Sequence, residues 1–241
     1  MFLAVMSLVS CGKTVDLSGY AWTASVVTHD DGGVYTPFSF TLLCNGENSG
    51  VAFFTETYPG DPIPYGFSMP FVYTWDGEDG TLTLDDGMAG IVVPLEYERA
   101  ERNSVVADIS GMRDYYPKYA YAYSLKQKGY YSPASVAGTH WEFAYEYTDI
   151  IDDTKAEVTV HCRYELDFME MNAVLHHCVI AADGSCDTTT WQIPEYTYAN
   201  GFGRMTIAGF LPNFEFVGHF YLPDERHLGF FDGESVLPMR R

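Results

Sequence analysis

The feature that most constrains this chain is that it repeats itself. Tyr73-Thr-Trp-Asp-Gly-Glu-Asp-Gly-Thr-Leu-Thr-Leu84 returns as Tyr196-Thr-Tyr-Ala-Asn-Gly-Phe-Gly-Arg-Met-Thr-Ile207, shifted by 123 positions (196 − 73). Both copies read Tyr-Thr-aromatic, a polar Gly-bearing turn, then Gly-x-apolar-Thr-apolar. Two short alternating runs around a turn that needs Gly for positive φ describe a β-hairpin. A second block repeats in the same order: Leu17-Ser-Gly-Tyr-Ala-Trp22 and Val136-Ala-Gly-Thr-His-Trp141, both apolar-x-Gly-x-x-Trp. A third, Tyr-x-x-x-Glu-Arg, starts at Tyr97 and at Tyr221. Recurrence of this kind means tandem duplication, with a boundary in the polar stretch Lys126 to Pro133. The division is a leader at 1–11, a tether at 12–16, a first repeat at 17–126, a linker at 127–135 and a second repeat at 136–241.

Each repeat is a series of period-two runs, the mark of half-buried strands. Phe38, Phe40, Leu42 and Cys44 share a face, as do Val158, Val160, Cys162, Tyr164 and Leu166, and Val158–Cys162 is matched to Phe40–Cys44. Val51–Thr57, Ile91–Tyr97 and Ser104–Ile109 read as further strands, and Pro94 marks an edge or a bulge. Tyr119, Tyr121, Tyr123 and Leu125 form the last face of the first repeat. No dozen-residue window carries a 3.6-residue apolar period, so long helices are not expected after the N-terminus. The expectation is all-β, about eight short strands per copy, as an up-and-down barrel or a sandwich.

Charge narrows the partners. With 33 acidic and 13 basic residues the formal charge is −20, which disfavours nucleic acid and anionic head groups, both of which are held by cationic side chains.

The N-terminus is a short apolar run ending Leu8-Val9-Ser10-Cys11. This resembles the bacterial lipobox. The resemblance implies that Cys11 is lipidated and that the chain is exported and tethered by acyl chains to the outer membrane, on its periplasmic or surface face. The run is far below the ~20 apolar residues of a spanning helix.

The Gly-x-x-Trp opening a meander of about a hundred residues per copy resembles the lipocalin-like domains of uncharacterised bacterial envelope lipoproteins. The resemblance covers most of residues 17–125 and 136–241. It implies two tandem antiparallel up-and-down barrels with Trp22 and Trp141 closing their floors. It also implies a non-catalytic protein that binds a small apolar or amphipathic ligand. The alternative is a structural or protein-interaction module of the envelope, including an enzyme inhibitor, with filled barrels. A monomer is expected.

Candidate chemistry is sparse. Tyr58, Tyr65, Tyr73, Trp75, Tyr119, Tyr121, Tyr123, Tyr196 and Tyr198 are candidate ligand contacts, since aromatic rings offer flat apolar surface. Tyr58–Tyr65, with three prolines, reads as a loop at a barrel mouth. Cys44 and Cys162 read as buried free thiols, and Cys178 can bridge to Cys162 or to Cys186. His161, Cys162, His176, His177 and Cys178 are the one metal-like cluster, but neighbours on a strand face opposite ways, so no metal or other cofactor is assigned. Acidic pairs at Asp30-Asp31, Asp85-Asp86 and Asp152-Asp153 sit beside turns, where Asp is favoured for local reasons. Glu165 and Asp167 fall on an outward face, and no catalytic set stands out.

Overall fold

A computed structural model describes residues 15–29, 33, 35–44, 48–85, 87, 90–98, 103–114, 116–151, 156–181, 184–199, 201–211, 214–231 and 235–241. Cys11, Asp30, Asp31, Asp86, Asp152 and Asp153 lie outside the described residues, as does the leader. Within them the only helical element is a single turn at Ser110–Met112.

The first barrel is closed and runs β1 (Ala21–His29), β2 (Tyr35–Cys44), β3 (Ser49–Glu56), β4 (Tyr65–Trp75), β5 (Asp79–Leu84), β6 (Ile91–Tyr97), β7 (Ser104–Asp108) and β8 (Ala122–Lys128) in sequence order. The second has nine strands: β9 (His140–Ile151), β10 (Ala156–Phe168), β11 (Ala173–Ile180), β12 (Cys186–Ile193), β13 (Tyr196–Ala199), β14 (Phe202–Leu211), β15 (Phe214–Asp224), β16 (His227–Phe231) and β17 (Val236–Arg240). All pairings are antiparallel. The protein is therefore all-β, two tandem up-and-down barrels of eight and nine strands. Strand β8 runs on to Lys128, so Gln127 and Lys128 belong to the first barrel's wall. Val15 also belongs to that fold: its carbonyl accepts a hydrogen bond from Trp75 Nε1–H at 2.6 Å.

The ninth strand is a broken fourth strand. Ala52 pairs with Met69 and Leu175 with Trp191, which sets Met69 against Trp191 at a shift of 122 (191 − 69). Tyr73 and Tyr196 match at 123, so one residue has been added between Ile193 and Tyr196. Pro194 lies in that gap and has no N–H for a ladder. One long strand, β4, thus becomes the pair β12 and β13.

The repeated blocks occupy the same places. Tyr73 faces Leu82 and Trp75 faces Gly80 in the first hairpin; Tyr196 faces Met205 and Tyr198 faces Gly203 in the second. Gly19 and Gly138 turn the chain at φ +73° and +74°, a backbone that side chains with Cβ avoid. Each then bonds the end of the second strand of its barrel: Gly19 N–H donates to Cys44 O at 3.0 Å, and Gly138 N–H to Phe168 O at 2.7 Å. Trp22 and Trp141 follow, both fully buried. Trp22 Nε1–H donates to Leu17 O at 3.0 Å, and Trp141 Nε1–H to Thr139 Oγ1 at 2.8 Å.

Two alignments of the repeats and one strand face need correction. Trp22 stands opposite Leu42 and Trp141 opposite Leu166, a shift of 124 (166 − 42), so Cys44 answers Phe168 and Cys162 answers Phe38. Matching Cys162 to Cys44 was a slip of six. An even slip keeps every side chain on its face, so the apolar pattern cannot detect it. Tyr97 N–H donates to Glu78 O and Leu222 N–H to Gly201 O, so Tyr97 answers Leu222 and not Tyr221. Finally, Tyr119 and Tyr121 do not share a strand face with Tyr123 and Leu125. β8 begins at Ala122, opposite Asp108 at the end of β7, and a strand extends only as far as its partner.

The interiors are full. In barrel 1, Phe38, Phe40, Phe54, Leu82, Leu84, Val93 and Leu125 are all essentially inaccessible; in barrel 2 so are Leu166, Phe168, Leu175, Ile207, Phe220, Phe230 and Met239. Small and large residues are exchanged between the copies. Gly218 lies against Phe230, where a Cβ would come within 2.6 Å of the ring. The corresponding pair in barrel 1 is Val93 with Ala107. Close packing of this kind leaves no room for added methylenes.

Outer faces meet between the barrels. Phe53, which points out of barrel 1, stacks on Phe231 at 4.1 Å and on Tyr221 at 5.3 Å. Leu43, Val51 and Val236 join that cluster. Hence β3 is buried on both faces and reads as an apolar run, not an alternation. Ser68 Oγ and His219 Nδ1 are 2.9 Å apart across the same junction, and Val236 N–H donates to Pro64 O at 2.8 Å.

Candidate functional site

The two barrels differ at the end away from the tryptophans, here called the mouth. In barrel 1 the connection from Ala107 to its strand neighbour Tyr123 takes 16 positions (123 − 107). In barrel 2 the corresponding step, Phe230 to Leu237, takes 7 (237 − 230). The extra chain in barrel 1 folds over the mouth as a cap. Tyr119 stacks on Phe38 at 4.6 Å and Tyr116 on Phe67 at 4.9 Å.

Under the cap lies Glu56, 3% exposed and pointing inward from the end of β3. Its Oε1 accepts from Thr36 Oγ1 at 2.6 Å and pairs with Lys118 Nζ at 2.6 Å. Its Oε2 accepts from Tyr58 OH and Tyr119 OH, each at 2.9 Å. Lys118 Nζ also donates to Tyr58 OH at 2.8 Å. Burial alone raises the Glu56 carboxyl, but the hydrogen bonds from Lys118, Thr36, Tyr119 and Tyr58 outweigh it and hold the group below its usual range. A buried carboxylate with this many donors is a closed latch: every lone-pair direction is used and none is left for a substrate.

Among the described residues barrel 2 has no such cap. Val179 stands where Glu56 stands, since Glu56 pairs with Phe38 and Val179 with Cys162 (179 − 56 = 123). The valine is 36% exposed, whereas the glutamate is nearly inaccessible. The inner face around it is aromatic. Phe143, Tyr145 and Tyr147 project from β9, Tyr164 from β10 and His177 from β11. Tyr145 stacks on Phe143 at 5.6 Å, on Tyr164 at 6.1 Å and on Tyr147 at 6.3 Å; Tyr164 stacks on His177 at 4.3 Å. Tyr145 OH and His177 Nε2 are 3.4 Å apart. Burial lowers the His177 pKa, favouring the neutral ring. Solvent access rises along β9, from Trp141, fully buried, to Tyr147, 40% exposed. The result is a flat, apolar, half-open aromatic surface over a filled core.

The sequence-nominated tyrosines do not form one site. Tyr73 and Trp75 sit at the floor of barrel 1, and Tyr196 and Tyr198 at that of barrel 2, where Tyr196 OH donates to Met169 O at 2.7 Å. Tyr58, Tyr65 and Tyr119 gather at the barrel 1 mouth, with Tyr58 edge-on to Tyr65 at 5.7 Å. Tyr123 is buried beneath them, its hydroxyl donating to Tyr119 O at 3.0 Å, and Tyr121 is exposed. A disulfide joins Cys178 to Cys186, with Cα atoms 5.7 Å apart, while Cys44 and Cys162 are free and buried. Burial and the charge of Asp16 push the Cys44 thiol up to about 12. His161 and His176 point outward, to Glu146 and Thr190, while His177 and Cys162 point inward. Among the described residues no three His, Cys, Asp or Glu side chains converge.

Sequence reading missed Glu56, Lys118 and the whole barrel 2 mouth. The signal was present in β9, where Trp141, Phe143, Tyr145 and Tyr147 alternate with polar or small residues, the pattern of a strand whose inner face is aromatic throughout.

Fold and mouth together define a class: tandem antiparallel β-barrels, the first capped and the second, among the described residues, uncapped. Compared with models of known protein families and with curated proteins, the chain matches none.

Proposed function

We propose that the chain is a non-catalytic lipoprotein of the bacterial envelope, lipocalin-like in both halves and anchored at Cys11. It binds a small apolar or amphipathic ligand on the aromatic surface at the mouth of barrel 2. One observation carries the reading: the same ring position is a latched Glu56 under a cap in barrel 1 and an uncapped Val179 beside stacked aromatics in barrel 2. Exposed, aligned rings bind flat apolar groups at low entropic cost. Because the core below is filled, the ligand lies on the mouth instead of entering a deep cavity. The second reading, an envelope interaction module, draws on the filled and capped barrel 1.

The test uses the unlipidated chain from Thr14 onward, purified without detergent. A fluorescent fatty acid is titrated against it, and native mass spectrometry records any bound mass. Tyr147→Ala with Tyr164→Ala should weaken uptake at least tenfold, while Tyr58→Phe leaves it unchanged. No uptake, or uptake indifferent to the barrel 2 pair, sinks the ligand reading.

A further inference from the structure

A second opening lies in the wall of barrel 1, where the ring closes between its first and last strands. β1 and β8 pair only at Ala21–Thr23 with Lys126–Lys128. Among the described residues, β1 from Ala24 to His29 has a partner in β2 alone. The six unpaired residues are about 20 Å of strand. Between the two splayed edges is a cleft of about 750 Å³, lined by Ser25, Val26, Val27, Ala122, Tyr123 and Ser124.

Hydrogen-bond parity identifies which backbone groups look into it. Tyr20 O accepts from Cys44 N–H, so the even residues of β1 turn toward β2 and the odd ones toward β8. Gln127 N–H donates to Asn103 O and Tyr121 O accepts from Ile109 N–H, so the odd residues of β8 turn toward β7 and the even ones toward β1. Ser25 and Val27 on one side, and Ala122 and Ser124 on the other, therefore present their N–H and C=O groups to the cleft. They would be the next two pairs of the ladder were it closed. Unsatisfied strand edges are the ordinary template for another strand.

The equivalent seam of barrel 2 is different. Its ladder is the single pair Arg240 with Glu142, but the edge beyond is blunted. Pro238 has no N–H, and the Val236 N–H is already bonded to Pro64 O. Among the described residues, at the seam between first and last strands only barrel 1 keeps an open edge on both sides.

We infer that this seam is a binding site for an extended peptide segment of a partner protein, taken up as an added strand. The segment runs antiparallel to one edge and parallel to the other, and bonds Ser25 and Val27 or Ala122 and Ser124 through its backbone. Its inward side chains are apolar, meeting Ala24, Val26 and Tyr123. Its outward side chains are acidic or neutral, because Lys126 projects from the outer face of β8 at the cleft. The site is on the other barrel from the proposed ligand surface and stands or falls separately.

The test is fluorescence anisotropy of the full chain with a labelled seven-residue peptide alternating Val with Thr and Glu. Binding is expected, with at least tenfold loss when alternate amides of the peptide are N-methylated in one register and little loss in the other. A Lys-for-Glu version should bind at least threefold more weakly. Ser25→Pro removes one cleft-facing N–H without touching the β2 ladder, and should also weaken binding. Absence of binding, equal binding of both N-methylated registers, or occupation of the seam by a second copy of the chain, seen as a dimer that excludes the peptide, overturns the inference. The peptide series keeps the test decisive even if the proline variant does not fold.

Discussion

The two barrels share a floor and differ at the mouth. At the floor the same glycine turn, the same buried tryptophan and the same hairpin recur at matching places. At the mouth, barrel 1 has a cap and a charged latch, while barrel 2 has, among the described residues, half-exposed aromatic rings. Floors set the fold, because they hold the residues that fix strand register and close the core. Mouths are free to diverge, because a loop can be lengthened at little thermodynamic cost. The difference also accounts for a buried charge beside an exposed valine. Burying Glu56 is tolerable because the cap adds Lys118 and Tyr119 to the donors Thr36 and Tyr58; without the cap, an apolar residue at the rim is the simpler solution.

The largest effects should come from the shared floor. Trp22→Ala and Trp141→Ala each empty a packed site and should each cost about 4 kcal/mol in urea unfolding of the full chain. The two losses should agree closely. A difference above about 2 kcal/mol would break the equivalence of the floors.

Next is the latch, which only barrel 1 has. Lys118→Met leaves Glu56 buried without its cation and should destabilise by about 3 kcal/mol. Because the Glu56 pKa is held low in the fold, its contribution is present above the ordinary carboxylate pKa and is lost as pH falls through the folded value. Acid should therefore loosen the barrel 1 cap, followed by hydrogen exchange at Tyr116–Tyr119, while the barrel 2 mouth keeps its protection. Equal acid response at both mouths would remove the latch from the account.

The junction comes third. Burial, with a smaller effect from the Arg204 charge, lowers His219 to about 4. Its folded pKa lies below the unfolded value near 6.5, so its stabilisation is full above pH 6.5 and declines as pH falls toward 4. The decline should be on the order of 2–3 kcal/mol, and His219→Gln should flatten it. An unchanged slope would mean that the junction does not sense this ring.

Much of this comparison was legible in the sequence, and its limits have physical causes. The hairpin and the Gly-x-x-Trp could be read because turn glycines and a floor tryptophan tolerate few substitutes. The pairing of Cys162 with Phe38 could not, since period-two patterns survive any even slip. The broken fourth strand turns on one inserted residue and Pro194, a change too small to disturb a repeat defined by short blocks. Tyr-Ala-Tyr-Ala-Tyr alternates and so reads as strand, yet β7 ends at Asp108 and offers the cap no partner. The latch was invisible because Glu56, Thr36, Tyr58 and Lys118 are brought together only by the closed ring. The mouth of barrel 2 was nearly visible in β9, but its exposure goes with the short step from Phe230 to Leu237, and a short connection leaves no motif.

The smallest expected effect is the sharpest probe of that last point. Val179→Glu places a carboxylate at the barrel 2 position that Glu56 holds in barrel 1. If the cap is what demands paired donors, the new carboxylate at an open rim stays hydrated and stability should change by no more than about 0.5 kcal/mol. Ligand uptake should nevertheless fall, since a charge then stands beside Tyr164 and His177, where an apolar group is to lie. The two readouts separate the possibilities. A loss of several kcal/mol would mean that the mouth is more enclosed than its side chains indicate, and the contrast with barrel 1 would fail. Unchanged stability with unchanged uptake would leave the open mouth standing but remove Val179 from the binding surface.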